Sequence, residues 1–381
     1  MTSHFFKLSV ILAMTCVGAG FNSAVMAQDK SAVQLNTAQS KNLTVLSYHE
    51  VVDAKNTLIP QYAVTTQQFK THLDWLQKNG YHFVSVDQVL AAQKGKKALA
   101  EKSVLLTFDD GYQSFYHTVY PILQQRKIPV LLSVVGAWLA PQPKHTVQFG
   151  DIEIAREQML SWTQLKEMQK SGWVEVGSHS YNLHQGIVGN PQGNTQPAAT
   201  TRLYHASTQQ YESDRDYAQR IQQDLIKNNQ LFKKNGIAAP RVMVWPYGRY
   251  NQQTVKIAQQ AGMPLSLSLD DLSTQKKMPS GQLSRILIQS NTDTAQLEQQ
   301  IEARQKHWSD QHRPQKIMHV DLDYIYDPNP VQQEHNLSLL LDRIEAMNVN
   351  TVYLQAFSDP DGNGSADLVY FPNRYIPMRT D

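Results

Sequence analysis

Apolar positions along the chain follow two rhythms. Short runs with β-branched and aromatic content recur at LTVLSYH (43–49), YHFVSV (81–86), VLLTF (104–108), PVLLSVV (129–135), WVEVGSHS (173–180), RVMVWPYG (241–248), PLSLSL (264–269) and RILI (285–288). Their length and content predict strands. Segments of helical period lie between them. TTQQFKTHLDWLQKNG (65–80) places Phe69, Leu73 and Leu76 on one face and ends at Gly80, a C-cap residue. VDQVLAAQKG (86–95), Tyr112 to Arg126, SWTQLKEMQKSG (161–172), 213–236 and NQQTVKIAQQAG (251–262) read as further helices. Residues 185–208 are rich in Gly, Asn, Gln, Thr and Pro and predict a long surface loop.

Strands that alternate with helices point to parallel βαβ units, and at this repeat number to a distorted (β/α) barrel. Chemistry in such folds sits at the C-terminal ends of the strands. His49, Asp109, Asp110, His179, His184 and Tyr247 all fall there.

The pattern restarts after a polar stretch near 305–316. KIMHVDLDYIY (316–326) predicts a strand, NLSLLLDRIEAMN (336–348) a helix and TVYLQAF (351–357) a strand. Two strands and one helix are too few for an independent parallel domain. The reading is a first domain over 43–305, a linker over 306–315, and the opening part of a second, larger (β/α) barrel over 316–381.

Composition narrows the class. Hydrophobic residues make up 41% and charged residues 18%, with a formal charge of +2. Nothing in that balance calls for a nucleic-acid partner or an anionic membrane surface. The N-terminus has the layout of a signal peptide over residues 1–27: Lys7, an apolar run from Leu8 to Phe21, then small residues ending at Ala27. Such a leader directs the chain out of the cytoplasm, here to the periplasm or its outer membrane. Residues 28–42 are polar and patternless, a flexible lead-in. The single cysteine, Cys16, lies in the leader, and Thr15 and Ala13 before it do not match a lipoprotein signal. The mature chain then has no cysteine, and any metal ligands must be His, Asp or Glu.

The chemical interest lies in FDDG (108–111). Asp109 and Asp110 sit side by side at the end of a strand that reads as buried, although like charges repel and a buried carboxylate needs a partner. Asp110 as a helix N-cap is one explanation. The other is a metal site. SHSYNLH (178–184) offers His179 and His184, and two imidazoles with one carboxylate form a ligand set that leaves positions open for water and substrate. Five residues apart, the two histidines share no helix face, so they converge only if the segment is a loop. If Asp110, His179 and His184 hold a cation, Asp109 stays free to take a proton. His49, which ends the first strand, is the candidate general acid.

These residues carry a resemblance. LLTFDDGY (105–112) resembles the first motif, TFDDG, of the polysaccharide deacetylase (NodB-homology) family of carbohydrate esterases. The family implies a distorted (β/α) barrel, a divalent metal, and removal of acetyl groups from polymers. Its first Asp is a catalytic base and its second a metal ligand, which implies those roles for Asp109 and Asp110. Its His-Ser/Thr-x-x-His motif is similar to His179–His184, here one residue longer. WPYG (245–248) resembles the third motif, whose Tyr position, Tyr247, lends a backbone N–H to the oxyanion. Trp245, Tyr247 and Trp162 are the candidate sugar-stacking aromatics.

Two departures stand out. The arginine usual in the third motif falls at Val244, and Gln289 stands where a closing histidine is expected. With SYHEV (47–51), both resemble a subgroup that acts during biofilm exopolysaccharide export, in which an early histidine, here His49, takes the acid position. That implies a β-1,6-linked N-acetylglucosamine polymer as substrate of an N-deacetylase, one divalent ion (zinc first, with cobalt, nickel or iron behind it), and an outer-membrane export porin as partner. MHVDLDYIYDPNP (318–330) and FPNRYIPM (371–378) look like the start of that subgroup's glycoside-hydrolase-like barrel. Two further readings remain: a polysaccharide-binding module without turnover, and a glycosidase. Adjacent aspartates are poorly placed to flank a glycosidic bond.

Overall fold

The computed structural model describes residues 42–379 apart from 54–56, 141–144, 151, 192, 271–280, 311–315 and 359–365. The expected leader and Cys16 lie outside the described residues. The first body is a parallel barrel. Its strands are β1 (Leu43–Tyr48), β2 (Ser103–Phe108), β3 (Val130–Val134), β4 (Val174–Ser178), β5 (Val242–Val244), β6 (Leu265–Ser268), β7 (Gln282–Ser284) and β8 (Ile286–Leu287). They are ordered β7-β6-β5-β4-β3-β2-β1-β8, all pairs parallel, with His82–Phe83 as a short addition beside β2. The two ends of that order are one run of chain. Residues 282–284 pair with β6, residues 286–287 pair with β1, and Arg285 sits at the switch. That run joins the two edges of the sheet and so closes the barrel.

The alternation of strand side chains assigns two layers. In β2, Val104, Leu106 and Phe108 face outward against helices α1 (Thr66–Lys78), α3 (Tyr120–Arg126) and α4 (Trp162–Lys170). Leu105 faces the barrel interior, with Val45, Leu131, Val244 and Leu267. Helix α2 (Val86–Gln93) adds Val86, Val89 and Leu90 to that inner cluster. Val104, Leu105, Leu106 and Phe108 have no exposed surface, and each such side chain contributes about 1.5–3 kcal/mol. The same inward parity continues upward through Thr107 to Asp109. An acidic side chain thus enters the barrel mouth because the strand alternates.

Helices start where capping chemistry starts them. Thr65, Ser85, Ser161 and Asn251 each accept the backbone N–H three residues on in a reciprocal box. The strand expected over 81–86 is confined to His82–Phe83, because Ser85 caps α2 one residue later. The helix expected from Tyr112 opens as a π turn, Phe115–Val119, before α3. Pro121 has no N–H for the carbonyl four residues back, which favours the wider turn. The expected loop over 185–208 instead contains hairpin pairing, Gly186–Val188 with Thr195–Pro197, and it buries Ala198 and Ala199. Helices α5 (Asp214–Lys234) and α6 (Gln252–Gln260) cover β5 from outside, and α7 (Thr294–Asp310) follows β8.

The restart forms as a βαβ unit: β9 (Ile317–Asp321) pairs in parallel with β10 (Thr351–Gln355), joined by α8 (Pro330–Ala346). No side chain of α8 is buried, and Val331, Leu341 and Leu354 are exposed.

Candidate active site

The barrel mouth gathers His49, Asp109, Asp110, His179, His184, Trp245 and Tyr247 in one pocket, with Tyr62, Tyr112, Phe149 and Arg285 among its other walls. Asp109 and His179 extend their strands by one ladder bond each: the Asp109 N–H donates to the Tyr48 carbonyl, and the His179 N–H to the Val134 carbonyl, both at 3.0 Å. Asp110 then turns. Its φ is 73°, and the Gly111 N–H donates to the Asp109 carbonyl at 2.9 Å. This i→i+2 turn with positive φ is a strained form that persists only when its surroundings hold it. Gly111 also has positive φ, and a Cβ there would lie 2.9 Å from Val134 Cγ1. The turn is how neighbouring carboxylates reach one pocket by different routes, and it replaces the helix-cap reading of Asp110.

Asp110, His179 and His184 present ligand atoms within 4.8 Å of one another, and all three are buried. Asp110 Oδ1 lies 3.5 Å from His179 Nε2 and 3.4 Å from His184 Nε2. The His179 Nδ1–H donates to the Val244 carbonyl at 2.7 Å. That bond fixes the tautomer and aims a lone pair on Nε2 at Asp110. Burial pushes both imidazoles down to about 4, against the pull of the Asp109 charge. They are neutral at physiological pH, the state a ligand needs. Asp110 Oδ1 is buried with no hydrogen-bond partner among the described residues. An orphaned carboxylate oxygen facing the Nε2 atoms of two neutral imidazoles is a donor set that fits a divalent cation.

Asp109 is held differently. Arg285 Nη1 donates to it at 2.8 Å, Ser133 Oγ at 2.7 Å, and Ser47 Oγ stands 3.5 Å away. Burial alone would raise its carboxyl. The Arg285 charge, the two histidines His179 and His49 and the Ser133 hydroxyl together outweigh that, and the group sits well below the usual carboxylate range. His49 Nε2 is 4.0 Å from Asp109 Oδ2, and its ring stacks on Tyr62 at 5.2 Å.

The partner missing at Val244 is therefore supplied by Arg285, which sequence reasoning passed over. The available signal was an arginine opening an apolar strand run. Its side chain is buried at the junction of β7 and β8 and also donates to Thr107 Oγ1 at 3.1 Å. Gln289 does not line the pocket. The expected aromatics divide. Tyr247, with φ 57°, is 39% exposed and packs its ring 4.6 Å from His184. Trp245 lines the pocket as a fully buried wall. Trp162 is not brought to the site. It starts α4, is half-buried, and meets Phe232 edge-on at 5.7 Å at the margin of the core, because its helix face points to α5. Phe149, from the hairpin Thr146–Phe149 with Ile152–Ala155, and Trp138 complete an aromatic collar around His184 at 5.2 and 4.8 Å. Neither was foreseen.

Comparison with known proteins agrees with this geometry. Residues 96–266 match the family model described as polysaccharide deacetylase, and residues 319–381 match one described as hypothetical glycosyl hydrolase family 13. The chain is 36% identical over 378 residues to a poly-beta-1,6-N-acetyl-D-glucosamine N-deacetylase of Escherichia coli strain K12, across 98% of this chain and 55% of that protein. It thus spans about half the length of that relative. A solved de-N-acetylase from Aggregatibacter actinomycetemcomitans is 34% identical with a TM-score of 0.61, covering 68% of this chain and 98% of that one. The BpsB deacetylase domain from Bordetella bronchiseptica is 33% identical with a TM-score of 0.57, covering 65% and 95%. On its motifs, its barrel and these matches, the chain belongs to the polysaccharide deacetylase family.

Proposed function

We propose that this chain removes N-acetyl groups from a β-1,6-linked N-acetylglucosamine polymer, with one divalent cation held by Asp110, His179 and His184. The observation that carries the reading is the pairing of a converged Asp/His/His set with a separate, charge-anchored carboxylate in one pocket. The printed names of the relatives support the substrate. The two-imidazole, one-carboxylate set favours Zn²⁺. A cation there supplies positive charge that polarises the acetamide carbonyl and acidifies the attacking water.

The chain's own groups do the rest. Asp109, ionised at neutral pH and fixed by Arg285 and Ser133, receives the proton of the attacking water. A carboxylate anchored this way is a weak base, and it would suffice once a bound cation had lowered the pKa of the water. The Tyr247 N–H, in the first turn after β5, donates to the oxygen that becomes negative as the carbonyl turns tetrahedral. His49 stands beside Asp109 and gives a proton to the departing amine. The C–N bond breaks, acetate leaves, and the polymer keeps a free amine. Tyr247 and Tyr62 offer aromatic faces for the flanking sugars. The leader pattern and the family resemblance support a periplasmic setting beside an export porin.

The test is to incubate the purified protein with a β-1,6-N-acetylglucosamine oligomer, with and without chelator, and weigh the products. Loss of acetyl units that stops with chelator supports the reading. Binding with no mass change points to a binding module, and shortened oligomers point to a glycosidase.

A further inference from the structure

The loop between the two histidines is clamped from both sides. On one side, the Gly136 and Ala137 N–H groups donate to the Ser180 and Tyr181 carbonyls at 3.0 and 2.8 Å. On the other, Asp224 of α5 accepts the Tyr181 N–H on Oδ1 at 2.8 Å and the Asn182 N–H on Oδ2 at 2.7 Å. Asp224 is 42 or 43 residues from those partners in sequence. Its helix adds two more contacts: Lys227 Nζ lies 3.8 Å from the Tyr181 ring centre, and Asn228 Nδ2 donates to Ser178 Oγ at 2.7 Å.

The loop needs this. Ser180 holds φ 72°, and its Oγ accepts the Leu183 N–H at 2.9 Å. The chain must reverse within four residues to return His184 Nε2 to 3.4 Å from Asp110. That reversal points consecutive N–H groups, Tyr181 and Asn182, in one direction with no carbonyl to receive them. Only a carboxylate offers two acceptor oxygens at that spacing, since a carboxamide has one acceptor and one donor.

We infer that Asp224 is a positioning residue for the metal site, the anchor that lets a histidine pair five residues apart converge on Asp110. It touches neither ligand, and it acts through the backbone of Tyr181 and Asn182. The inference rests on the proposed cation site.

The test compares Asp224→Asn with the unsubstituted protein, titrating Zn²⁺ alone against a chromophoric chelator. Loss of an outer partner that orients a ligand weakens metal binding by about 10–100-fold, and that is the expected rise in the Zn²⁺ dissociation constant. Turnover at saturating Zn²⁺ returns toward that of the unsubstituted protein, which a collapsed fold cannot do. Equal Zn²⁺ affinity in both proteins overturns the inference. A second measurement needs no variant: in the metal-free protein, the Tyr181 and Asn182 amides exchange with solvent as slowly as the helix that anchors them. Exchange at open-loop rates overturns it equally. An unsubstituted protein that binds Zn²⁺ without deacetylating refutes the proposed function and leaves Asp224 its role. One that deacetylates while the variant keeps full affinity refutes the role of Asp224 alone, and one that binds no Zn²⁺ refutes both.

Discussion

Arg285 Nη1 lies 2.8 Å from Asp109 Oδ1, a buried pair formed by residues 176 apart in sequence. It answers the question raised by Val244, where the family arginine is missing. Arg285 sits where one run of chain leaves β6 and joins β1, so closing the barrel and anchoring Asp109 are one structural event.

Removing that partner strands a buried carboxylate. Breaking a buried pair costs about 3–5 kcal/mol, so Arg285→Met is expected to lower stability by that order in chemical denaturation. Deacetylation falls with it, while metal binding survives, because the Arg285 side chain donates to Asp109 and Thr107 and to none of Asp110, His179 and His184. A variant as stable as the unsubstituted protein contradicts the pairing.

Two of the three candidate aromatics separate in kinetics. Tyr247 faces the pocket and Trp162 the core. Tyr247→Ala loses an aromatic contact of about 0.5–1.5 kcal/mol, a rise in KM of roughly 2- to 12-fold. Trp162→Phe keeps KM and lowers only the unfolding midpoint. Steady-state kinetics on the oligomer checks both, and a KM effect at Trp162 contradicts its place in the core.

Metal removal is expected to inactivate without unfolding, since the inner and outer layers of the barrel are packed independently of the ligand set. Zn²⁺ at a hundredfold excess over its dissociation constant adds about 2.7 kcal/mol. Calorimetry should show a higher midpoint with Zn²⁺ and a cooperative transition without it. Unfolding on chelation contradicts this.

Asp224 makes a pH prediction. Burial pushes its carboxyl from 3.8 up to about 6, against the Tyr181 and Asn182 N–H groups and the Arg220 and Lys227 charges. Between those values the folded chain holds a proton that the unfolded chain releases. Stability from this group is therefore full at the acid end and declines as pH rises through about 6. In metal-free protein, Asp224→Asn is more destabilising at about pH 4 than at about pH 7. A gap that widens toward neutral pH contradicts the sign. The buried anion is thus a stability cost that the histidine loop imposes.

What was legible in the sequence was local. The strand at Val104–Phe108 and the helix face of Phe69, Leu73 and Leu76 each follow from a short pattern whose parity or spacing can be counted, and the candidate trio Asp110, His179 and His184 came from motifs at two strand ends that the fold brings within 4.8 Å of one another. What escaped depends on distant partners. Arg285 and Asp224 gain meaning only from side chains and backbone that the fold brings to them. Trp162 shows the same limit from the other side. An aromatic at a helix start reads alike as a sugar platform or as core, and only the position of Phe232 decides.

The most direct test of the account is the division of labour within Asp109–Asp110. Asp109→Asn and Asp110→Asn are assayed side by side for bound Zn²⁺ and for acetate released from the oligomer. The account predicts that Asp109→Asn keeps stoichiometric Zn²⁺ and loses turnover by about 10²- to 10⁴-fold, whereas Asp110→Asn loses both. Full activity in Asp109→Asn, or loss of its metal, contradicts the assignment.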